Sequence, residues 1–519
     1  MSDGGTAAAK PDTSGPAPLH GLPLIAMGVL LGMANFLAAF DLSIANVSIP
    51  NIAAGLAVSP RDGTWAITSY MVAEAITVPL TGWLAARFGP GRVLSYAMIG
   101  FAIASALCGI STSLDMLIAF RVLQGLAGGP MIPLSQSLLL HIFPKEKAGT
   151  AMGIWAMTAV VGPITGPIVG GIICDHWTWP WIFLISVPVG AVMAMFCWYT
   201  LIPRDPPPVR RPVDTPGLLL MILWIGAVQV ILDQGQEKDW FGSSYIVVLT
   251  VIAIVGFLAF LIWELTDEHP IVNLRIFNNR GYTLGVLVVC IGFGVFLGSV
   301  VISPLWMQTN MGYTPTWAGL ASAPGGMMMF TLSPLVAWLS ARLDPRILIS
   351  GGLLLFASIM LWRAHFASNV TMEMIVYYQL LNGASVALFF APSMAITLGF
   401  LKPQEIADGA GMLAFIRTTA VAFVTSVTTA YWQDSATRDR AGMIDRLHGT
   451  SALDQLHRAG FQGDQAIHYL DGIVQDQAVM FATNDTFFAF ACAMIAGLAF
   501  VWLIPKTHRR RAPAAPTAH

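Results

Sequence analysis

Residues 33–50 read MANFLAAFDLSIANVSIP, an almost wholly apolar stretch that carries a single acid, Asp41. The apolar run around it extends over residues 22–49, and about 20 apolar residues are enough for a helix to cross a bilayer. An ionised carboxylate at the centre of such a helix costs on the order of 3 kcal/mol or more, so an acid there is a functional-site hypothesis. The role of Asp41 has to be inferred from the rest of the sequence.

The composition is that of a polytopic membrane protein. Of the 519 residues, 56% are hydrophobic and 10% are charged, whereas about 25% of the residues of a soluble domain are charged. The net charge of -2 indicates neither a nucleic-acid partner nor a strongly anionic surface. The five cysteines are scattered without CxxC spacing, so the sequence predicts neither a disulfide framework nor a metal site.

Hydropathy predicts an all-α protein in which about fourteen helices cross the membrane. The predicted spans are 22–49, 63–86, 92–111, 115–141, 149–173, 180–202, 214–234, 244–265, 281–308, 315–341, 346–366, 373–399, 406–431 and 480–504. A transporter with two six-helix bundles has twelve helices, so two of the fourteen predicted helices are additional. The pair 214–234 and 244–265, which follows a Pro- and Arg-rich connection, is the natural insert.

Lysine and arginine are concentrated in every second short loop. By the positive-inside rule these loops, and with them both termini, are predicted to be cytoplasmic. The basic residues of these loops and of the C-terminal tail are Arg87, Arg92, Lys145, Lys147, Arg204, Arg210, Arg211, Arg275, Arg280, Arg342, Arg346, Lys402, Lys506, Arg509, Arg510 and Arg511. The first residues lack the charge and apolar order of a signal peptide, so we expect a disordered tail that stays inside.

The connections divide the chain into domains. The predicted units are a disordered cytoplasmic tail 1–21, a six-helix bundle 22–202, a linker 203–213, two inserted helices 214–265, a second six-helix bundle 281–504 and a basic cytoplasmic tail 505–519. Residues 433–479 form the only long external loop, with apolar residues at helical spacing. We expect short amphipathic helices there, as either a solvated cap or a docking surface for an external partner.

Charged side chains fall at similar depths in the predicted bundles. At 1.5 Å per residue, Asp41 and Glu74 lie about 15 Å and 14 Å from the outer ends of their spans, and Arg121 about 9 Å. Arg417 lies about 16 Å from the inner end of its span. Such groups are tolerated where they face a bundle interior or a wet cavity.

A buried acid beside an arginine can exchange a proton. Burial disfavours a charged carboxylate and a neighbouring arginine favours it, so a site in balance titrates near neutral pH. We therefore predict proton coupling by Asp41 and Glu74, with Arg121 and Gln124, which share a helix face, as partners. The alternative is a static salt bridge, for example between Asp41 and Arg121.

Residues 162–171 read GPITGPIVGG. Gly162, Gly166 and Gly170 form one flat seam that a neighbouring helix can approach closely, and Pro163 and Pro167 make the helix bendable. Tight packing and a conformational hinge are both compatible with this pattern.

Several motifs in order resemble a known family. Residues 82–92, GWLAARFGPGR, resemble the cytoplasmic loop signature of the major facilitator superfamily, although Ala86 and Pro90 replace its usual acid and base. Residues 121–125, RVLQG, and the 162–171 seam resemble the next two signatures, the latter being associated with antiporters. Residues 41–50 resemble the mark of the fourteen-helix drug:proton antiporter branch.

Further motifs extend the resemblance over about residues 22–505. They are HWTWPWIF at 176–183, DQGQEKDWF at 233–241, WAGLASAP at 317–324 and PLSQS at 133–137. The last three are similar to Emr-type inner-membrane subunits of Gram-negative tripartite pumps.

The resemblance implies two six-helix bundles around a central cavity, two extra helices, and drug export driven by inward protons. It also implies a cytoplasmic gate at Gly82, Arg87, Gly89 and Arg92, a periplasmic adaptor and an outer-membrane channel. Aromatic walls suit varied hydrophobic ligands because apolar contact demands little geometry. The residues predicted to bind substrate are Asn35, Phe36, Phe40, Gln136, Trp155, Phe293, Phe296, Tyr378, Gln379, Asn382, Phe389 and Arg417.

The sequence therefore predicts a proton-coupled antiporter of the bacterial inner membrane that exports hydrophobic drug-like compounds. The proton is the coupling ion, and no other cofactor is expected. Arg417 near the midplane favours neutral or anionic ligands. One alternative is an exporter of a single metabolite such as a fatty acid or siderophore, and another is a receptor or scaffold that does not transport. Because no nucleophile elbow, HExxH or phosphate loop is present, an enzyme is not expected.

Overall fold

In a computed structural model of this chain, every regular element among the described residues is helical, as expected for an all-α membrane protein. The structure describes residues 21–144, 148–205, 214–235, 238–267, 270–272, 274–313, 315–340, 342–367, 370–402, 405–447, 456 and 464–506. The predicted tails, most of the linker 203–213, the loop residues Lys145 and Lys147, and the middle of the loop 433–479 lie outside these ranges. The predicted domain boundaries stay predictions.

The first half of the chain forms eleven helices within the described ranges. They are α1 (Leu22–Val47), α2 (Ile49–Gly55), α3 (Pro60–Gly63), α4 (Trp65–Thr77), α5 (Thr81–Phe88), α6 (Pro90–Gly109), α7 (Leu114–Gly128), α8 (Met131–Ile142), α9 (Ala148–His176), α10 (Trp181–Leu184) and α11 (Ser186–Leu201). Short turns divide two predicted spans, the second into α4 and α5 and the fourth into α7 and α8. The α7–α8 break falls at Gly129 and Pro130, and proline cannot donate a helical backbone hydrogen bond.

The second half has fewer and longer helices. They are α12 (Thr215–Gln234), α13 (Ser244–Thr266), α14 (Arg280–Asn310), α15 (Pro315–Ser340), α16 (Pro345–Arg363), α17 (Met372–Gly399), α18 (Ile406–Leu447) and α19 (Asp464–Leu503). Short 3-10 helices lie between α11 and α12 at Ile202–Arg204, between α12 and α13 at Trp240–Gly242, and between α13 and α14 at Leu274–Asn278.

Twelve segments of the described chain are long and apolar enough to cross a membrane. The 29-residue helix α9 and the interrupted pair α4 and α5 occupy the two remaining positions at which the sequence predicts a crossing. The protein is therefore a multi-pass membrane protein, and its helices agree with the fourteen-helix arrangement.

The last two helices are much longer than a bilayer is thick. Helix α18 has 42 residues and α19 has 40, so each extends about 60 Å against a hydrocarbon core of about 30 Å. They pack against each other, and Arg440 of α18 forms an ion pair with Asp471 of α19. The described parts of the loop 433–479 are thus continuations of membrane helices and not the separate short helices that the sequence suggested.

Helix α1, which carries Asp41, lies against α9 along the glycine seam, defined by Gly162, Gly166 and Gly170. A Cβ atom added at Gly162 would lie 3.0 Å from the backbone of α1, and one at Gly166 would lie 2.6 Å from the Cβ of Ser43. The seam therefore lets the two backbones approach more closely than side chains would allow. The side chains of Pro163 and Pro167 lie outside the described part, and the hinge stays a prediction.

The two halves of the chain meet at several helix pairs. Helix α9 packs on α15 and α17, and α18 packs on α5 and α8. At one end of this contact, a Cβ atom added at Gly82 of α5 would lie 2.7 Å from the Cα of Asp408. A Cβ atom added at Gly411 would lie 3.2 Å from the carbonyl oxygen of Val78. Gly82 therefore has a packing role at the contact between the halves.

The seam predicts a position-dependent effect of adding one methyl group. Gly166→Ala places a Cβ against Ser43, and overpacking of this kind costs about 1–3 kcal/mol. We expect a lower unfolding temperature for the purified protein in detergent, measured by tryptophan fluorescence.

Gly171→Ala is the matched control, because no atom lies within 4 Å of a Cβ added there. It should leave the unfolding temperature unchanged or raise it slightly, since alanine favours a helix over glycine by about 1 kcal/mol. Equal behaviour of the two variants would contradict close packing along the seam.

Candidate functional site

Asp41 lies in a sealed hydrogen-bond network with two residues of α7. Arg121 Nη1 donates to Asp41 Oδ2 at 2.6 Å, and Gln124 Nε2 donates to Asp41 Oδ1 at 2.9 Å. The side chains of all three residues are fully buried. Arg121 and Gln124 reach the same carboxylate because residues three apart share a helix face.

The same network joins four helices. Arg121 Nε donates to the Ala66 carbonyl of α4 at 2.8 Å, and Gln124 Nε2 donates to Ser105 Oγ of α6 at 2.7 Å. The Arg121 guanidinium also lies 4.6 Å from the ring centre of Tyr70. Charge-assisted hydrogen bonds in a low dielectric are stronger than neutral ones, so Asp41 fixes α1 relative to α4, α6 and α7.

Glycine residues of α7 bring this helix close enough to α4 for the network to form. A Cβ atom at Gly125 would lie 2.4 Å from the Tyr70 carbonyl oxygen, and one at Gly129 would lie 2.8 Å from the Cβ of Thr77. Any larger residue at Gly125 would push α7 and Arg121 away from α4.

Glu74 of α4 lies outside this network. Its side chain is buried, with 8% of its surface exposed, and it makes no hydrogen bond or ion pair with another described residue. Of these two buried acids of the first bundle, Asp41 is therefore paired, and Glu74 forms no ion pair with a described residue.

A second group, which we call the aromatic cluster, lies where the two halves meet. It consists of Trp155 of α9, Phe293 of α14 and Phe390 of α17. Phe390 stacks on Trp155 at 5.8 Å and on Phe293 at 4.6 Å between ring centres. The Arg417 guanidinium of α18 lies 5.4 Å from the Trp155 ring and 4.9 Å from the Phe293 ring.

Arg417 of α18 interacts electrostatically with Glu74 of α4 but forms no close ion pair in the described part of the chain. It makes no ion pair or hydrogen bond with a described residue, and only 6% of its surface is exposed. Cation–π contact stabilises a desolvated guanidinium by about 2 kcal/mol and leaves its N–H groups available. The arrangement can therefore present hydrogen-bond donors to a ligand beside the aromatic cluster.

Polar side chains hold Trp155 in place. Trp155 Nε1 donates to Ser135 Oγ at 3.0 Å, and Asn35 Nδ2 donates to the Trp155 carbonyl at 3.0 Å. Gln136 Nε2 contacts Sδ of Met152, one turn before Trp155, at 3.8 Å. The structure thus brings together five of the residues predicted to bind substrate, Asn35, Gln136, Trp155, Phe293 and Arg417, and their binding role stays a prediction.

Phe389 does not join this group. Its ring packs where a Cβ atom of Gly292 on α14 would lie, and its backbone nitrogen lies 2.8 Å from where a Cβ atom of Gly352 on α16 would lie, inside the second bundle. Successive residues of a helix point about 100° apart. The residue of α17 that joins the aromatic cluster is Phe390, which was not among the residues predicted to bind substrate.

Other predicted ligand residues also lie elsewhere. Tyr378 packs against Phe366 and Phe487, within the second bundle. Phe296 lies between Phe293 and Phe356. The remaining four are Phe36 and Phe40, whose rings stack on each other at 5.3 Å, and Gln379 and Asn382, which contact each other at 3.5 Å beside the close approach of α17 to Gly325.

The loop predicted as a cytoplasmic gate is tied to a residue that the sequence analysis missed. Gly89 has a φ of 93°, which favours glycine, and α6 begins at the next residue. The backbone amides of Gly91 and Arg92 donate to Asp205 at 2.7 and 2.8 Å. Partial burial raises the pKa of the Asp205 carboxyl, and these two hydrogen bonds oppose the rise.

Arg87 of the same loop lies over the Trp83 ring at 5.2 Å.

An internal repeat in the sequence could have predicted further contacts between helices. RVLQG at 121–125 corresponds to QLLNG at 379–383, and WLAARFGPGR at 83–92 to WLSARLDPR at 338–346. Gly383 indeed approaches Gly325 of α15 as Gly125 approaches α4. Among the residues described, no three His, Cys, Asp or Glu side chains are placed to hold a metal ion.

Comparison with known proteins agrees with this architecture. The family model of the Major Facilitator Superfamily matches residues 31–425. The Multidrug export protein EmrB of Escherichia coli K12 is 40% identical over 93% of this chain and 96% of its own length. The Fatty acid resistance protein FarB of Neisseria gonorrhoeae is 39% identical over 94% of this chain and 97% of its own.

Solved structures agree at the level of the fold. The proton:xylose symporter XylE, bound to 6-bromo-6-deoxy-D-glucose, superposes with a TM-score of 0.60 at 15% sequence identity, over 93% of this chain and 96% of that one. The family match, which covers most of the chain, and the identity to EmrB lead to one conclusion. The chain belongs to the major facilitator superfamily, in the branch of the EmrB multidrug export proteins, and is not an enzyme.

Proposed function

We propose that this protein is a proton-coupled antiporter that exports hydrophobic drug-like compounds across a bacterial inner membrane. The observation that carries the proposal is the sealed contact of Asp41 with Arg121, at 2.6 Å and with both side chains fully buried. The export activity named for the EmrB relative supports the direction and the kind of cargo. Orientation follows from the positive-inside rule, with both termini cytoplasmic.

Protonation of Asp41 would remove the charge that binds Arg121. A neutral carboxylic acid keeps hydrogen bonds to Arg121 and Gln124 but loses the ionic attraction, so the hold of α7 on α1 weakens. Because α1 also packs on α9 along the glycine seam, the change reaches the helix that carries Trp155. Proton uptake at Asp41 is thereby linked to the aromatic cluster.

Glu74 is the proposed second proton-binding residue of the same antiport mechanism. An unpaired carboxylate in a bilayer is much less costly when it is protonated than when it is ionised. Because Asp41 is paired to Arg121 and Glu74 has no close ion pair, we propose that Glu74 carries a proton in this state and that Asp41 does not.

The projecting ends of α18 and α19 support an external partner. In the proposed orientation they extend into the periplasm, joined by the ion pair between Arg440 and Asp471. We propose that they dock a membrane-fusion adaptor, and through it an outer-membrane channel, so that the protein is the inner-membrane part of a tripartite pump.

A specific observation favours a second candidate, the export of a single anionic metabolite such as a fatty acid. Arg417 presents unpaired donors beside the aromatic cluster, which suits a carboxylate attached to an apolar chain. The relative FarB, named for fatty acid resistance, supports this candidate.

Asp41→Asn tests the proton carrier. In proteoliposomes, addition of an exported compound should release protons with the wild type and at least 10-fold more slowly with the variant, because asparagine cannot take up a proton. Asp115→Asn, the same change at an exposed residue of α7, should behave as the wild type. Normal antiport by a folded Asp41→Asn variant would refute the assignment. No compound-dependent proton movement with the wild type would favour a receptor or scaffold.

Glu74→Gln tests whether two acids share the coupling. If Glu74 holds a proton in this state, the neutral glutamine should preserve the fold and the unfolding temperature within about 1 °C, since a protonated acid and an amide are close in size and polarity. The number of protons released per molecule exported should fall. A large loss of stability with unchanged stoichiometry would show that Glu74 is ionised and structural.

Arg417→Met distinguishes the two kinds of cargo. We expect binding of anionic amphiphiles, measured by tryptophan quenching, to weaken about 10-fold or more, because a charge-assisted hydrogen bond contributes about 1.5–3 kcal/mol. Binding of neutral compounds of the same size should change little. A uniform loss for all compounds would instead indicate that Arg417 only supports the packing of the aromatic cluster.

A further inference from the structure

Another buried arginine, Arg363, lies beside Phe366 and Phe487 of the second bundle. Arg363 is the last residue of α16, and only 1% of its surface is exposed. Its guanidinium carbon lies 4.1 Å from the ring centre of Trp306 and 4.8 Å from those of Phe366 and Phe487. Tyr378 packs against both phenylalanine rings. We call these four rings the aromatic cage.

Arg121 and Arg363 make an informative comparison within one protein. Both are fully desolvated and both lie against aromatic rings. Arg121 also has a carboxylate, an amide oxygen and a backbone carbonyl as acceptors. Arg363 has no ion pair in the described part of the chain, and neither its Nη1 nor its Nη2 has a hydrogen-bond partner there.

A third donor without a partner belongs to the same cage. The indole Nε1 of Trp306 is buried and makes no hydrogen bond to a described residue. Because the guanidinium lies against that indole ring, its nitrogens and Nε1 are only a few ångströms apart. Buried donors are almost always satisfied, and a buried charge that lacks an acceptor is strongly destabilising. Three such donors beside one positive charge indicate that an acceptor binds here.

We propose that the aromatic cage holds a small monovalent anion, such as chloride, on Nη1 and Nη2 of Arg363 and on the indole N–H of Trp306. The anion neutralises the arginine and accepts from all three donors. The cage residues come from α14, α17, α19 and the segment after α16, so the site lies within the second bundle. It is thus separate from the aromatic cluster, where both halves contribute, and does not depend on the proposed transport activity.

Anion-dependent stability tests the proposal. The purified full-length protein is heated in sodium gluconate, and chloride replaces gluconate at constant ionic strength. The unfolding temperature should rise by several degrees and saturate with chloride concentration. Arg363→Met should abolish this rise. Trp306→Phe, which keeps a ring but removes the indole donor, should weaken the apparent chloride affinity about 5-fold, as expected for one hydrogen bond.

Arg342→Met is the matched control. Arg342 also lies over an indole ring, that of Trp338 at 4.0 Å, but it is exposed and can be hydrated. This variant should keep the full response to chloride.

Two outcomes would overturn the proposal. The first is a wild type whose unfolding temperature is the same in chloride and gluconate, which would mean that water satisfies the donors. The second is a Trp306→Phe protein whose chloride affinity is unchanged. If Arg363→Met does not fold, bromide provides a direct test on the wild type. Crystals grown in bromide should show an anomalous peak at the guanidinium of Arg363, and a map without one would refute the site.

Discussion

The ion pair between Asp41 and Arg121 is the constraint on which the first bundle depends. A charge buried inside a membrane protein is costly unless it is compensated, and here the compensation is an opposite charge at short range. This requirement fixes α1 against α7 to within a hydrogen-bond length and explains why glycine occurs at the close contacts of α7 with α4 and of α1 with α9. The Asp41 carboxylate thus fixes the relative positions of helices that could otherwise shift against one another.

The two halves of the chain stabilise their buried charged side chains in different ways. In the first half the arginine of RVLQG is matched by an acid and a polar network. In the second half the corresponding position is Gln379, and the buried arginine lies at the end of α16 among aromatic rings. Arg417, at the contact between the halves, has aromatic neighbours, interacts electrostatically with Glu74, and forms no close ion pair with a described residue.

Much of the architecture could be predicted from the sequence, because hydropathy and helix length leave few alternatives in a bilayer. The depths of Asp41 and Arg121 were sufficient to predict that they could pair. The rotation of a helix about its own axis is harder to predict than its length, since α17 has aromatic residues on several faces. Phe389 was therefore predicted to bind substrate, whereas Phe390 is the residue that contacts Trp155 and Phe293. Asp205 was missed because its role depends on a loop that folds back to the start of α6. The length of α18 was missed because its projecting part is polar and has no hydropathy signal.

Helix α18 connects three regions without a break. It begins beside Gly82, passes the aromatic cluster at Arg417 and continues to Leu447 at its projecting end. From Arg417 to Leu447 is about 45 Å of continuous helix. Such a helix acts as a lever arm: a tilt of about 5° at the cluster moves the tip by about 4 Å. A protein bound to that tip would detect a change at the aromatic cluster mechanically, without any contact with the cluster itself.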